Sequence, residues 1–175
     1  MTTAVVVPSN RPEQLLAFAD AWEAQLRAPA VKVIVVEDAS EPTAMSLPVG
    51  WQHVCWVDID RELGVNADLV PRQSGGIRDY GFWRAYQDPS VDIIITLDDD
   101  VRPIEGAGPL VNGYRRVLNT PIPTRWIEPI PGIPLRGMPR QGPTAAPILH
   151  VGMWTGIPDI DAETQLAHPE VMARW

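Results

Sequence analysis

The sequence predicts an α/β domain in which a mostly parallel sheet is flanked by helices. Three observations carry that reading: short runs of consecutive apolar, valine- and isoleucine-rich residues, polar clusters that end each run, and helix-spaced stretches between them. Runs that are apolar throughout, rather than alternating, suit strands buried on both faces, as parallel strands between helical layers are.

Each element follows in chain order. Thr3–Pro8 (T-A-V-V-V-P) reads as a buried strand that stops at Ser9-Asn10-Arg11. Glu13–Arg27 places Leu15, Leu16, Ala19, Trp22, Glu23 and Leu26 near helical spacing, and Pro12 suits a first helical turn. Val31–Val36 is a second buried strand, closed by Glu37-Asp38, and Val54–Ile59 reads as a third. Gln73–Tyr86 predicts a helix whose start is loosened by Gly75-Gly76. Val91–Leu97 (V-D-I-I-I-T-L) is the clearest strand and ends in Asp98-Asp99-Asp100. Pro109–Leu118 suits a helix, whereas about 119–147 is too rich in proline and glycine for regular elements. Ile148–Trp154 suits a returning strand. The whole of 1–175 is expected to form a single domain.

Composition narrows the function classes. At 175 residues, 45% hydrophobic and 21% charged, the chain has the make-up of a soluble globular protein. Fourteen basic against 22 acidic residues give a net charge of −8, which argues against a general nucleic-acid binder or a basic membrane-surface protein. No apolar run approaches the ~18 residues of a membrane span. The chain enters its first strand at once, with no basic leader segment, so a cytoplasmic location is expected. Cys55, the single cysteine, reads as a small buried hydrophobe. Neither a GxGxxG fingerprint nor a phosphate-binding P-loop is present in the sequence.

Ligands of open α/β sheets sit beyond the carboxyl ends of the strands. Three such ends carry polar clusters here: Ser9-Asn10-Arg11, Glu37-Asp38 and the aspartate triplet. In an extended chain Asp98 and Asp100 share one side and Asp99 takes the other. Adjacent carboxylates repel one another, and Mg²⁺ or Mn²⁺ held by the outer pair would relieve this while accepting phosphate oxygens. A solvated acidic turn is the alternative. Arg78 either forks onto a phosphate or makes a surface ion pair, for example with Asp79, and Arg11 has the same two readings. Trp154 suits stacking on a sugar or base, or a place in the core. Asp159 and Asp161 suit contacts to sugar hydroxyls, although Asp161 also suits a helix cap. His150 and His168 lack ligand spacing.

Several segments together resemble the reversibly glycosylated polypeptide family, the UDP-arabinopyranose mutases. V-V-V-P-S-N-R is similar to the family's opening strand and turn, and S-G-G-I-R-D-Y-G-F-W to the segment around its functional arginine. I-I-I-T-L-D-D-D-V resembles its metal motif. G-P-T-A followed by W-T-G-I-P-D-I-D-A-E-T-Q-L resembles the family's W-L-N-I-P-D-Y-D-A-P-T-Q-L region. The resemblance implies a GT-A-like, Rossmann-like fold that binds a UDP-sugar with Mn²⁺ or Mg²⁺ at Asp98 and Asp100. It puts Asp38 and the Pro8, Ser9, Asn10, Arg11 turn at the nucleoside; Asp99, Trp154, Asp159 and Asp161 are further candidate substrate contacts. Arg78 falls at the glycosyl-diphosphate, where a reversible glycosyl adduct is implied. The family's chain is roughly twice as long, so the matched part corresponds to its N-terminal half and the fold reads as C-terminally truncated. Two functions follow as expectations: a UDP-sugar mutase or glycosyltransferase, or a catalytically incomplete nucleotide-sugar-binding or partner subunit. A Mg²⁺-dependent phosphotransferase is a weaker third. Homo- or hetero-oligomerisation is left open.

Overall fold

A computed structural model describes residues 2–106 and 108–119. Contacts divide the chain after Leu110 into two compact units, Met1–Leu110 and Val111–Trp175. The first unit holds four strands, β1 (Thr2–Ser9), β2 (Val31–Glu37), β3 (Gln52–Val54) and β4 (Val91–Thr96). Its helices are α1 (Pro12–Leu26), α2 (Trp56–Leu63) and α3 (Arg78–Gln87), with 3₁₀ turns at Gly64–Leu69 and Gly75–Ile77. A further helix, α4 (Leu110–Asn119), matches the one expected at Pro109–Leu118.

All strand pairs are parallel and the spatial order is β3-β2-β1-β4. β1 lies between β2 and β4, with Val5 opposite both Val33 and Ile95. From Thr3 to Ser9 every β1 residue is buried, which is why its sequence shows no alternation. Period-two geometry still sorts the side chains between faces. Ala4, Val6, Ile34, Val36 and Val54 form one core with Ile77, Tyr80 and Ala85 from the α3 side. Val5, Val7, Val33 and Val35 point the other way, toward the face where α1 packs on β1 and β2. α1 buries Leu15, Phe18, Ala19, Trp22 and Leu26, while Leu16 is exposed. Gly81 brings α3 close to the sheet: a Cβ there would lie 2.9 Å from Val36 Cγ2 and closer still to Val6 Cγ1.

One element differs from the expectation. Val54–Ile59 is not a strand; β3 ends at Val54 and α2 begins at Trp56. Asp58 accepts the Cys55 N–H at 2.9 Å, the return half of a capping box. Ile59 is fully buried while Val57 and Asp60 face out, as a helix allows and a buried strand does not. The expected helix start at Gln73 is likewise a turn, with α3 proper starting at Arg78. β4 is a strand as expected, but among the described residues it stands at the sheet edge with Ile94 39% exposed. The expected strand at Ile148–Trp154 and the Pro/Gly-rich region lie outside the described residues, apart from Asn119.

Candidate functional site at the sheet switch point

Strand order reverses direction between β1 and β4: the chain steps from β1 to β2 and β3 on one side, then crosses back to β4 on the other. Such a reversal opens a crevice at the carboxyl ends of the strands. Ser9, Asn10 and Arg11 leave β1 at this point, and the aspartate triplet leaves β4 beside them.

Asp99 is the buried member of the triplet, 2% exposed. Its Oδ2 accepts from Ser9 Oγ at 2.6 Å and from Arg11 Nε at 3.3 Å, and its Oδ1 takes Arg11 Nη2. Ser9 Oγ also accepts the Arg11 N–H at 3.0 Å, so hydroxyl, carboxylate and guanidinium form one closed tie between β1 and β4. Expected among the substrate contacts, Asp99 is instead turned inward and fastens the two strand ends. Pro8, expected in the nucleoside turn, lies within β1 opposite Val36 and is buried, whereas Asn10 is exposed at the rim.

Asp98 and Asp100 are both exposed and each faces a different arginine. Arg78 Nη2 donates to Asp98 Oδ1 at 2.8 Å, and Arg11 Nη2 to Asp100 Oδ2 at 3.2 Å. Asp98, twenty residues distant, rather than Asp79, is therefore the partner of Arg78. Mutual repulsion in the triplet, read from the sequence as a reason for a metal ion, is already offset by two guanidinium groups. The two arginines are not equally held. Arg78 and Asp98 are 31% and 57% exposed, and such pairs contribute only about 0–1 kcal/mol. Arg11 grips a carboxylate that is 3% exposed, from which withdrawal would be far more costly. Arg78 is thus the arginine able to change partner, and Arg11 the anchored one.

No group of three or more His, Cys, Asp or Glu side chains among the described residues forms a metal cage. Asp98 and Asp100 are each occupied by a different arginine, so a hard cation at this pair would have to take the place of both guanidinium groups. Trp154, Asp159 and Asp161 lie outside the described residues, as do His150 and His168.

Two features escaped sequence reasoning. Asp38 is engaged by three N–H donors: Trp56 Nε1 at 2.7 Å, Gln73 N at 2.9 Å and Ser74 N at 3.0 Å. Glu37, 2% exposed, accepts Thr43 N at 2.8 Å, pairs with His53 Nε2 at 2.8 Å and takes the Thr43 hydroxyl. A glutamate ending an apolar strand was the available signal for the second. Cys55 is fully buried, and burial pushes its thiol up, away from nucleophile chemistry.

Parallel strands in the order 3-2-1-4 with flanking helices make a Rossmann-like α/β domain, an architecture consistent with a GT-A-like fold. Sequence comparison is specific beyond this class. The chain is 29% identical over 180 residues to an Arabidopsis thaliana protein described as "Probable UDP-arabinopyranose mutase 4". The match covers 94% of this chain and 46% of the relative, so the chain spans about half the length of the curated relative it matches. Similarity to that family, in its N-terminal half, therefore extends across nearly the whole chain and not only the quoted motifs. No protein-family model matches. No helix among the described residues is long and apolar enough to cross a membrane.

Proposed function

We propose that this chain binds the diphosphate of a UDP-sugar at the β1/β4 rim and takes part in breaking the sugar–diphosphate bond, as a mutase or glycosyltransferase. The supporting observation is the placement of Arg78 and Arg11 on consecutive aspartates at the sheet reversal. Arg78, lightly held and one-third exposed, exchanges Asp98 for a phosphate at small cost. A guanidinium presents parallel N–H donors to phosphate oxygens, and these strengthen as negative charge develops. When the C1–oxygen bond breaks, its electron pair departs on the β-phosphate, which Arg78 stabilises. C1 bonds to a hydroxyl oxygen, the sugar's own before UDP returns in a mutase or an acceptor's in a glycosyltransferase, with loss of that hydroxyl's proton. Arg11, fastened through Asp99, keeps positive charge at the β1 end. Asp98 and Asp100 would hold Mn²⁺ or Mg²⁺, whose chemistry there is to neutralise phosphate charge.

The alternative is a nucleotide-sugar-binding or partner subunit without turnover of its own. Thermal unfolding with UDP and Mn²⁺, followed by incubation with UDP-arabinopyranose, tests both. A raised melting temperature that Asp98→Asn or Asp100→Asn removes supports the site. New nucleotide-sugar or free UDP supports the enzyme, and binding without product supports the subunit. Absence of a shift with any nucleotide overturns both readings.

A further inference from the structure

Among the described residues Gln73 is the non-glycine with positive φ, at 53°. An L side chain rarely adopts this region unless its surroundings hold it there. The holding group is Asp38. Its two carboxylate oxygens accept the successive amides of Gln73 and Ser74, at 2.9 and 3.0 Å. Asp38 is itself fixed, because its own N–H donates to Ser9 O at 2.7 Å and Trp56 Nε1 donates to its Oδ1. Trp56 is in turn covered by the Arg72 guanidinium, 5.3 Å above the ring.

The turn so fastened leads directly to Arg78. Ser74 Oγ accepts the Gly76 N–H at 3.2 Å, which opens the 3₁₀ turn Gly75–Ile77. Arg78 follows as the first residue of α3, and its Nε donates to Gly75 O at 3.0 Å. Any slack at residues 73–74 is therefore passed to the carbonyl that orients the guanidinium. A carboxylate has about four acceptor sites, and three of Asp38's are taken by N–H donors, which leaves little for a ribose hydroxyl.

We propose that Asp38 is a positioning residue: it holds Gln73 in the left-handed region and so aims Arg78 at the diphosphate, rather than contacting the nucleoside. The aim toward diphosphate rests on the proposed function; the strap itself does not. The test compares wild type, Asp38→Ala, Gln73→Gly and the double variant. Amide hydrogen exchange at residues 73 and 74, without ligand, reads the strap. Affinities for UDP and for uridine read the consequence. Asp38→Ala is expected to speed exchange at both amides by about tenfold or more. It is also expected to weaken UDP by about tenfold, with uridine little changed. Gln73→Gly in the Asp38→Ala background restores much of the UDP affinity, because glycine takes positive φ without a strap. A lost nucleoside contact would not be repaired by a change at residue 73. Equal losses for UDP and uridine, without rescue, overturn the proposal, as do unchanged amides in Asp38→Ala. If Asp38→Ala fails to fold, Asp38→Asn, which keeps one acceptor oxygen, is read the same way. Wild type that binds no UDP refutes the proposed function, and the exchange data still decide the strap.

Discussion

Removing the Asp99 carboxylate tests how the two strand ends at the rim are joined. In Asp99→Ala, Ser9 Oγ, in a residue 6% exposed, loses its shorter acceptor and keeps only Arg11 O at 3.3 Å, while Arg11 Nε and Nη2 lose the Asp99 oxygens. Hydrogen bonds to a charged group contribute about 1.5–3 kcal/mol, and the longer bond to Arg11 O spares the Ser9 hydroxyl the full cost of an unsatisfied buried donor. The Arg11 side chain is 51% exposed and retains Asp100, so water and that second acid return part of its loss. The expected net destabilisation is about 2–4 kcal/mol, and about 1–2 for Asp99→Asn, whose amide oxygen still accepts one of the donors. Urea unfolding measures it as a lowered midpoint at unchanged slope. Adding Ser9→Ala in a double-mutant cycle should reveal a coupling of about 1 kcal/mol or more. A loss below about 0.5 kcal/mol for Asp99→Ala, the level of an ordinary surface change, would refute the buried tie.

Two further outcomes follow from the packing and the charges. Gly81→Ala should lose up to about 2 kcal/mol in the same assay, because overpacking against Val6 and Val36 at about 1–3 kcal/mol is set against a helix-propensity gain of about 1; a stabilised variant would contradict the close α3–sheet approach. Lys32, with Ser90, holds the Asp88 carboxyl down to about 2. A carboxyl depressed on folding adds stability that is complete above its unfolded value near 4 and fades as pH falls toward 2. Carboxyl-detected NMR titration should place Asp88 near 2 in wild type and nearer 4 in Lys32→Met; equal midpoints would rule out the ion pair as the cause.

Much of the sheet was legible because β1, β2 and β4 announce themselves as short runs rich in valine and isoleucine with polar ends. Val54–Ile59 misled because a short apolar run suits a buried strand and a helix turn equally. Its cap is a cysteine, so the usual Ser or Thr signal was missing. At the site, residue types were readable but partners were not. Arg78 finds Asp98 rather than Asp79 because successive helix residues do not face each other. Ser9 and Asp99 meet across ninety residues, and Asp38 meets Gln73 across thirty-five, separations that only the folded sheet resolves.

Recognition of a diphosphate by the rim arginines is read most directly by titrating wild type and Arg78→Gln with UDP and with uridine. Wild type should favour UDP by about tenfold or more, a difference of about 1.4 kcal/mol, and Arg78→Gln should lose most of that preference. Equal affinities for UDP and uridine in wild type, or a preference that survives Arg78→Gln intact, would contradict the account.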